Sequence, residues 1–369
     1  MAPAGGEGRV TRFATWEWVM DRKTAVVVGS LGVIGRNLVH HLEPQDEWDI
    51  VGLSRRRPDF PTRMRAIAVD LLDEADCGAK LGDLTGVTHV FYCAFQARPT
   101  WAEHNAPNLA MLANAVTAIE AASPGLERVV LVEGNKIYGS HLGPFKTPAK
   151  ETDPPHMPPN FYWDQEQWLR ERQSHKGWSY AVLRPHTVCG FALGSPMNII
   201  TVIAVYAAIS KELGLPLRFP GKPGAFNAVY QVTDSEHLAR AMVWAATAPA
   251  AANEVFNVTN SDFFRWCNLW PRIAALFEMP EGPVQTIRLA EFMSDKAPLW
   301  QAMQRRHGLQ AIAYDDLVAW PFGDYVFGTD WDVMSDTLKI RRAGFTEGVD
   351  SEAMILALLA DLRAKKIVP

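Results

Sequence analysis

The stretch TAVVVGSLGVIG, residues 24–35, contains the pattern that decides the fold. Its first half is a β-branched run typical of a buried strand, and the segment RNLVHHL that follows has helical spacing. Between them, Gly29, Gly32 and Gly35 stand in a GxxGxxG spacing. Glycine permits a tight turn and lets backbone N–H groups approach a pyrophosphate, while the helix N-terminus supplies about half a positive charge. Strand, glycine turn and helix together predict a dinucleotide-binding unit.

The alternation of strand and helix continues through the first half of the chain. Further short Val, Ile and Leu runs follow Asp49, precede Asp70, start at Thr88, start at Glu127 and extend from Ser179 to Pro185. The segment NAPNLAMLANAVTAIEAA, between the runs that start at Thr88 and Glu127, has the spacing of a long helix. Strands buried on both faces that alternate with helices indicate a parallel sheet with right-handed crossovers. The predicted fold class is therefore α/β, a Rossmann-type doubly wound parallel sheet.

Composition and charge restrict the class of partner. The 369 residues are 48% hydrophobic and 21% charged, which is typical of a globular protein with a sizeable core. With 36 basic and 41 acidic side chains the formal charge is −5, so small molecules are expected as partners rather than nucleic acid. The four cysteines are far apart and form no CxxC pair, so we expect no metal site and a reducing, cytoplasmic location. No apolar run is long enough to predict a membrane span.

The sequence suggests three regions. Residues 1–20 lack the apolar centre of a secretory signal and are predicted to be a tail outside the fold. Residues 21–190 form the predicted NADP-binding Rossmann domain. Residues 191–369 form mainly a smaller, helix-rich substrate-binding portion, some segments of which return to the Rossmann sheet. Nine of the 13 tryptophans lie at or beyond Trp163, and they either fill a core or line a pocket for an apolar substrate.

The end of the second strand indicates which dinucleotide is bound. Its sequence is SRRRP, so Arg55 and Arg56 occupy the position where an NAD-binding protein has an acidic residue that binds the ribose 2′-hydroxyl. Guanidinium groups suit a 2′-phosphate, which predicts NADPH as the cofactor, whereas the alternative is a solvated basic loop. Asp70 and Leu71 would border the adenine. The residues predicted to contact the cofactor are Gly29, Ser30, Gly32, Val33, Ile34, Gly35, Ser54, Arg55, Arg56, Asp70, Leu71, Lys136, Pro185 and Val188.

The segments VEGNKIYG and LRPHTVCG resemble the SSxxVYG and RPxxVYG segments of extended short-chain dehydrogenases/reductases, but the catalytic pattern differs. Glu133 and Gly134 replace the hydroxyl residues that this superfamily has after the fifth strand. Neither Tyr138 nor Tyr162 is followed four positions later by the lysine of the usual Tyr-xxx-Lys pair. The catalytic groups must therefore come from other positions, or the chain has lost catalysis.

Lys136 and Tyr162 are the candidates for these groups. Lys136 follows the carboxyl end of the fifth strand, where open α/β sheets bind their ligands. The segment NFYWDQEQWLRER from Asn160 predicts a helix with an Asn cap, which places Tyr162 in its first turn. From the residues alone, a surface lysine and a core phenol remain the alternative interpretation.

Several segments together resemble one family. In chain order they are GNKIYG, GPF, NFYWDQE, RPHTVCGF, MNIITVIAVYAAI, LRFPG, NEVFNVTNSDFFRWCNLW, WPFGDYVFG and the terminal KIVP. They resemble the progesterone 5β-reductase/iridoid synthase-like (PRISE) family of atypical extended short-chain dehydrogenases/reductases. The resemblance extends from about residue 24 to the last residue.

The resemblance implies an NADPH-dependent reductase of activated carbon–carbon double bonds in enones and enals, with a small apolar substrate and a homodimeric assembly. It places the catalytic roles on Lys136 and Tyr162, and it places Phe95, Phe145 and Phe322, with Tyr162, around the substrate. In this interpretation the Lys136 ammonium lowers the pKa of the Tyr162 phenol. The segment from Gly139 to His141 is an insertion relative to the family pattern.

Two other functions remain open at the level of sequence. In a carbonyl reductase, the same tyrosine would protonate an alkoxide after hydride reached the carbonyl carbon. A non-catalytic NADPH-binding sensor would share the fold without the chemistry. The presence of both Lys136 and Tyr162 argues against the sensor.

Overall fold

The computed structural model describes Met1 and residues 22–369, so the predicted tail over residues 1–20 lies outside the described residues apart from Met1. The strands are β1 Lys23–Val28, β2 Trp48–Ser54, β3 Arg65–Ala68, β4 His89–Tyr92, β5 Arg128–Val132, β6 Ser179–Pro185, β7 Val188–Cys189, β8 Leu217–Arg218, β9 Thr233–Asp234, β10 Glu254–Val258 and β11 Glu281–Gly282. The helices are α1 Val33–Leu42, α2 Glu74–Leu81, α3 Asn105–Ala122, α4 Phe161–Gln173, α5 Ile199–Glu212, α6 Pro223–Asn227, α7 Ser235–Thr247, α8 Trp266–Leu276, α9 Leu289–Phe292, α10 Ala297–His307, α11 Tyr314–Leu317, α12 Trp320–Gly328, α13 Leu338–Arg342 and α14 Ser351–Ala364.

Among the described residues, seven strands form the main sheet in the order β10-β6-β5-β4-β1-β2-β3. Each neighbouring pair is parallel. The chain moves outward from β1 to β3 on one side and from β4 to β6 on the other, so the direction changes between β1 and β4. Such a change leaves a crevice at the carboxyl ends of the strands.

Helices cover both faces of this sheet. Leu38 of α1 and Met242 of α7 pack with Val27 and Phe91 on one face. On the other face, Leu81 of α2, Leu112 of α3 and Leu169 of α4 pack with the opposite side chains of the strands. Residues of β4 and β5 are buried throughout, as expected for strands covered on both sides. The predicted doubly wound parallel sheet is confirmed.

A second core lies in the part of the chain that follows Cys189. Helices α5, α8, α10, α12 and α14 supply most of it, and its aromatic side chains include Trp266, Trp270, Trp300 and Trp320. These four tryptophans are at most 6% exposed. Core packing, the first of the two interpretations of the tryptophan enrichment, therefore accounts for these four residues.

Not all of the chain beyond residue 190 belongs to the second core. Strand β10 pairs with β6 at the edge of the main sheet, α7 packs on that sheet, and Ile340 of α13 joins the same hydrophobic cluster. The segment EVFNV was not predicted as a sheet strand, because it lies 69 residues beyond β6 in sequence and no local pattern indicates which strand it pairs with. Within the described residues, no helix is both long enough and apolar enough to cross a membrane.

Candidate active site

A cleft of about 830 Å³ opens at the carboxyl ends of the central strands. It lies at the change of direction between β1 and β4, where the doubly wound topology places ligands. The predicted site residues on its wall are Gly29, Gly32, Val33, Ile34, Ser54, Arg55, Arg56, Asp70, Leu71, Phe95, Lys136, Tyr162, Pro185 and Val188. The structure therefore brings most of the predicted cofactor residues and both predicted catalytic residues into one cavity.

The glycine turn has the geometry that a dinucleotide requires. Gly29 has φ +83°, and a Cβ there would lie 2.9 Å from the backbone of Ala94. A Cβ on Gly35 would lie 2.3 Å from the carbonyl oxygen of Gly29, so α1 packs directly on the turn. Gly32 caps α1 without any side-chain hydrogen bond, which leaves the first N–H groups of the helix directed at the cleft. These residues fit a pyrophosphate.

Two of the predicted cofactor residues support the turn and are not on the cleft wall. Ser30 is buried, and its hydroxyl donates to the carbonyl oxygen of Leu53 at 3.4 Å. Gly35 faces Gly29, as described above. At the other end of the cleft, Arg56 donates to the carbonyl oxygen of Leu193 at 3.1 Å, and Arg55 lies exposed beside it. Both guanidinium groups are therefore at the mouth of the cleft.

Asn160 connects the two predicted catalytic residues. Its side-chain oxygen accepts a hydrogen bond from the backbone N–H of Tyr162 at 3.2 Å, which caps α4 as predicted. Its side-chain nitrogen donates to the carbonyl oxygen of Lys136 at 3.4 Å. Lys136 belongs to the 3₁₀ turn Asn135–Tyr138, directly after β5. One side chain thus contacts both the helix that carries the phenol and the turn that carries the ammonium.

The phenol of Tyr162 lies against Gly134. A Cβ at position 134 would come within 3.1 Å of the Tyr162 hydroxyl oxygen. This contact explains why glycine replaces the hydroxyl residue of the superfamily pattern, since the phenol takes up the adjacent space. Lys136 is half-buried on the cleft wall, and desolvation there lowers the pKa of its ammonium to about 8.

The expected lowering of the Tyr162 pKa is wrong, because the pKa lies above its ordinary value and Lys136 is not among the groups that shift it. Burial raises the pKa of Tyr162, and the nearby Glu133 and Tyr325 add to the increase. The sequence did not predict that Glu133 lies beside the phenol, so its effect on the Tyr162 pKa was not predicted either. The phenol consequently keeps its proton at neutral pH and can act as a hydrogen-bond donor in the cleft.

The comparisons with known proteins identify the family. Residues 67–369 match the family model described as a PRISE-like Rossmann-fold domain. The chain belongs to the PRISE family. Among its relatives, (S)-8-oxocitronellyl enol synthase ISY1 of Nepeta cataria is 36% identical, over 94% of this chain and 93% of that protein. The 3-oxo-Δ(4,5)-steroid 5-β-reductase of Arabidopsis thaliana is 34% identical over the same shares of the two chains.

A solved structure supports the fold of this PRISE chain. A short-chain dehydrogenase/reductase superfamily protein from Agrobacterium tumefaciens with bound NAD aligns at a TM-score of 0.64 with 17% identity. The alignment covers 93% of this chain and 98% of that structure. At this level of identity the likeness establishes the fold alone.

Glu133, which stands where the short-chain superfamily has a hydroxyl residue, belongs to a buried charge network. Arg184 of β6 lies 3.0 Å from a Glu133 carboxylate oxygen and 2.5 Å from a Glu166 carboxylate oxygen. It also donates to the Tyr138 hydroxyl at 3.0 Å, and that hydroxyl donates to Asn257 at 2.7 Å. Burial raises the pKa of Glu133 above its ordinary value, and the nearby Glu166 adds to the increase while Arg184 opposes it. Tyr138 is thus engaged in this network and does not face the cleft.

The sequence contained a signal for this network. Val132 of β5 is in register with Leu183 of β6, so the next residues, Glu133 and Arg184, are opposite one another. Opposite charges at facing positions of two adjacent buried strands predict an ion pair. Glu133 was predicted only as the replacement of a hydroxyl residue, so this ion pair was not predicted.

The predicted substrate residues divide into two groups in the PRISE fold. Phe95 lies on the cleft wall, whereas Phe322 is in the second core and Phe145 packs against that core. Tyr325, one turn beyond Phe322 on α12, lines the cleft instead. The sequence did not distinguish Tyr325 from the phenylalanines of the same segment, because which side chain faces the cleft depends on how α12 packs. In the segment from Gly139 to His141, the His141 ring lies against Trp101, with 4.3 Å between centroids.

Proposed function

We propose that this chain is an NADPH-dependent reductase of carbon–carbon double bonds conjugated to a ketone or an aldehyde. The observation that carries the proposal is the meeting of a protonated phenol, Tyr162, and an ammonium, Lys136, in the dinucleotide cleft of a PRISE protein. The name of the Arabidopsis relative, a 3-oxo-Δ(4,5)-steroid 5-β-reductase, describes reduction of such a conjugated double bond.

The residues of the cleft support this chemistry. The turn from Gly29 to Gly32 and the N-terminus of α1 would hold the pyrophosphate, and Arg55 and Arg56 the 2′-phosphate. When bound, NADPH supplies a hydride. Negative charge then develops on the carbonyl oxygen of the substrate, and a donor placed at that oxygen stabilises the transition state by about 3 kcal/mol. Tyr162 is that donor in this proposal.

Lys136 and Phe95 have supporting roles. The Lys136 ammonium and the Tyr162 phenol line the same cleft, where a positive charge favours the developing enolate more than it would in bulk water. It would also contact the nicotinamide ribose. Phe95 gives the cleft an apolar wall that excludes water from the reacting atoms.

Product analysis tests the proposed function. With NADPH and 2-cyclohexenone, we expect the saturated ketone, cyclohexanone, identified by chromatography. The allylic alcohol as main product would establish a carbonyl reductase instead. Absence of turnover across a broad panel of enones and enals, with NADPH binding intact, would favour the non-catalytic sensor.

The choice of cofactor is tested at the mouth of the cleft. The double variant Arg55→Ala, Arg56→Ala should raise the KM for NADPH far more than the KM for NADH, since each charge-assisted contact to the 2′-phosphate contributes about 1.5 to 3 kcal/mol. Steady-state kinetics with both cofactors measure the difference. Arg57→Ala, at the adjacent exposed position, serves as the control and should leave both values unchanged. Equal losses with NADPH and NADH, or a wild type that prefers NADH, would contradict the assignment.

Lys136 should give the reaction an alkaline limit. Its ammonium has a pKa of about 8, so it is charged below that pH and neutral above it. Turnover should therefore fall as the pH rises through about 8, and Lys136→Ala should weaken both NADPH binding and turnover at pH 7. A pH profile of kcat measures the limit. Lys136→Arg keeps a positive charge at every pH tested, so the same fall in this variant would show that another group causes it.

A further inference from the structure

The surroundings of the half-buried Lys136 ammonium are unusual for a charged group. Its nitrogen lies 4.7 Å from the ring centroid of Tyr325 and 5.7 Å from that of Trp101. Within the described part of the chain, no carboxylate forms an ion pair with it, and burial alone sets the direction of its pKa shift. Two aromatic rings thus stand where a counter-ion would be expected.

Tyr325 reaches the ammonium from the other half of the fold. It belongs to α12, which packs in the second core, and its ring lies 5.9 Å from that of Phe322. The same ring is part of the cleft wall. Trp101 is held on its other sides by His141 and by Phe161, with 5.5 Å between the Trp101 and Phe161 centroids. Both rings are fixed by neighbours before any ligand enters.

We propose that Tyr325 is a positioning residue for Lys136, and that its ring face keeps the ammonium charged and directed into the cleft. The negative face of an aromatic ring attracts a cation, most strongly where water is excluded. A carboxylate in the same place would neutralise the positive field that the developing enolate needs, whereas a ring stabilises the cation without adding a formal charge. The role of Tyr325 in turnover rests on the proposed function, but its effect on Lys136 does not.

The other titratable groups near the ammonium do not replace the ring. Burial, with a contribution from Lys136, lowers the pKa values of His104, His141 and His186, so these side chains are neutral at pH 7. The Glu133 carboxyl is held by Arg184, and the Tyr162 phenol keeps its proton. The rings of Tyr325 and Trp101 are therefore the favourable contacts that the described residues offer the charge.

The test measures the Lys136 pKa directly. The protein is labelled with ¹³C-lysine, the Lys136 resonance is assigned by its loss in Lys136→Ala, and its chemical shift is followed with pH. Tyr325→Met, which keeps an apolar side chain but removes the ring, should lower the Lys136 pKa by about one unit, equivalent to a cation–π contribution of about 1.4 kcal/mol. Tyr325→Phe keeps the ring face and should retain the wild-type value. The alkaline limit of 2-cyclohexenone reduction should move with the pKa in each variant.

Tyr206→Met is the matched control, since it makes the same change in the second core at a residue of α5 that does not contact Lys136. It should leave the Lys136 pKa unchanged. An unchanged or raised pKa in Tyr325→Met would overturn the proposal, and so would a pKa in Tyr325→Phe as low as in Tyr325→Met, because the hydroxyl would then be the active group. The titration does not depend on turnover. An inactive wild type would therefore refute the proposed function, while the chemical shift of the Lys136 resonance would still show whether Tyr325 raises the Lys136 pKa.

Discussion

Replacing Tyr162 with phenylalanine should lower the turnover of a cyclic enone by about a hundredfold or more. The substitution removes one hydroxyl that donates to the oxygen on which charge develops, and it leaves the ring in place. NADPH affinity should remain close to that of the wild type, because the phenol acts at the substrate. Enals are more electrophilic and depend less on activation of the oxygen, so the deficit should be smaller with an enal. Steady-state assays with a cyclic enone and with an enal measure the turnover. A fluorescence titration with NADPH measures the cofactor affinity.

Tyr138→Phe is the control for this experiment. Tyr138 lies in the lysine turn, but its hydroxyl bonds to Arg184 and Asn257 inside the protein. Its loss should reduce stability and leave enone reduction within a few-fold of the wild type. Full activity of Tyr162→Phe on cyclic enones would contradict the assignment. The remaining phenol on the cleft wall, Tyr325, would then be the donor to examine.

Replacing Arg184 with leucine should destabilise the fold by about 3 to 5 kcal/mol at pH 7. Its guanidinium contacts the carboxylates of Glu133 and Glu166, and all three side chains are at most 4% exposed. Without it, two buried carboxylates stand near each other with only the half-exposed Arg170 beside Glu166. Urea denaturation monitored by tryptophan fluorescence gives the free energy of unfolding.

The pH dependence of this deficit identifies its cause. Burial already raises the pKa of Glu133 and the Arg184 guanidinium opposes that increase, so loss of Arg184 raises the folded-state pKa of Glu133 further above the unfolded value. A raised folded pKa contributes stability at low pH and loses it as the pH rises, so the deficit should shrink as the pH falls from 7 toward about 5. Arg172→Leu provides the comparison, because Arg172 is 34% exposed and its partner Glu120 also pairs with Lys176. That variant should cost about 1 kcal/mol or less. A deficit in Arg184→Leu that is independent of pH would show that lost packing, and not unpaired charge, is responsible.

The sequence was sufficient for most of the sheet. Strands β1 to β6 and helices α3 and α4 were predicted because they carry local patterns, namely β-branched runs, a 3.6-residue period and an Asn cap. Strand β10 was missed because its place beside β6 depends on a pairing between segments distant in sequence. The tryptophans after residue 190 left two interpretations open, and only the three-dimensional packing shows that four of them fill the second core.

The part of the candidate site that could be predicted consists of residues in local motifs at the end of a strand or the start of a helix. Lys136 could be proposed because it follows a strand end, and Tyr162 because it follows an Asn cap in a motif that resembles the family. The structure places both residues on the cleft wall. The contact between Tyr162 and Gly134, the proximity of Glu133 to the phenol and the ring of Tyr325 over Lys136 all depend on elements that meet only after folding. The wrong direction of the Tyr162 pKa has the same origin, since a pKa reflects every neighbouring group and its burial.

The two hydrogen bonds of Asn160 have a consequence for how such an enzyme can diversify. Asn160 and Lys136 are 24 positions apart, yet the Asn160 side-chain nitrogen donates directly to the Lys136 carbonyl oxygen. The intervening segment therefore does not have to hold the phenol and the ammonium at their correct separation. It can gain or lose residues, so selection can change the shape of the substrate end of the cleft there without moving Lys136 and Tyr162 apart. Natural variation and directed evolution of substrate range should accordingly concentrate between residues 139 and 159, with the anchor at position 160 held fixed.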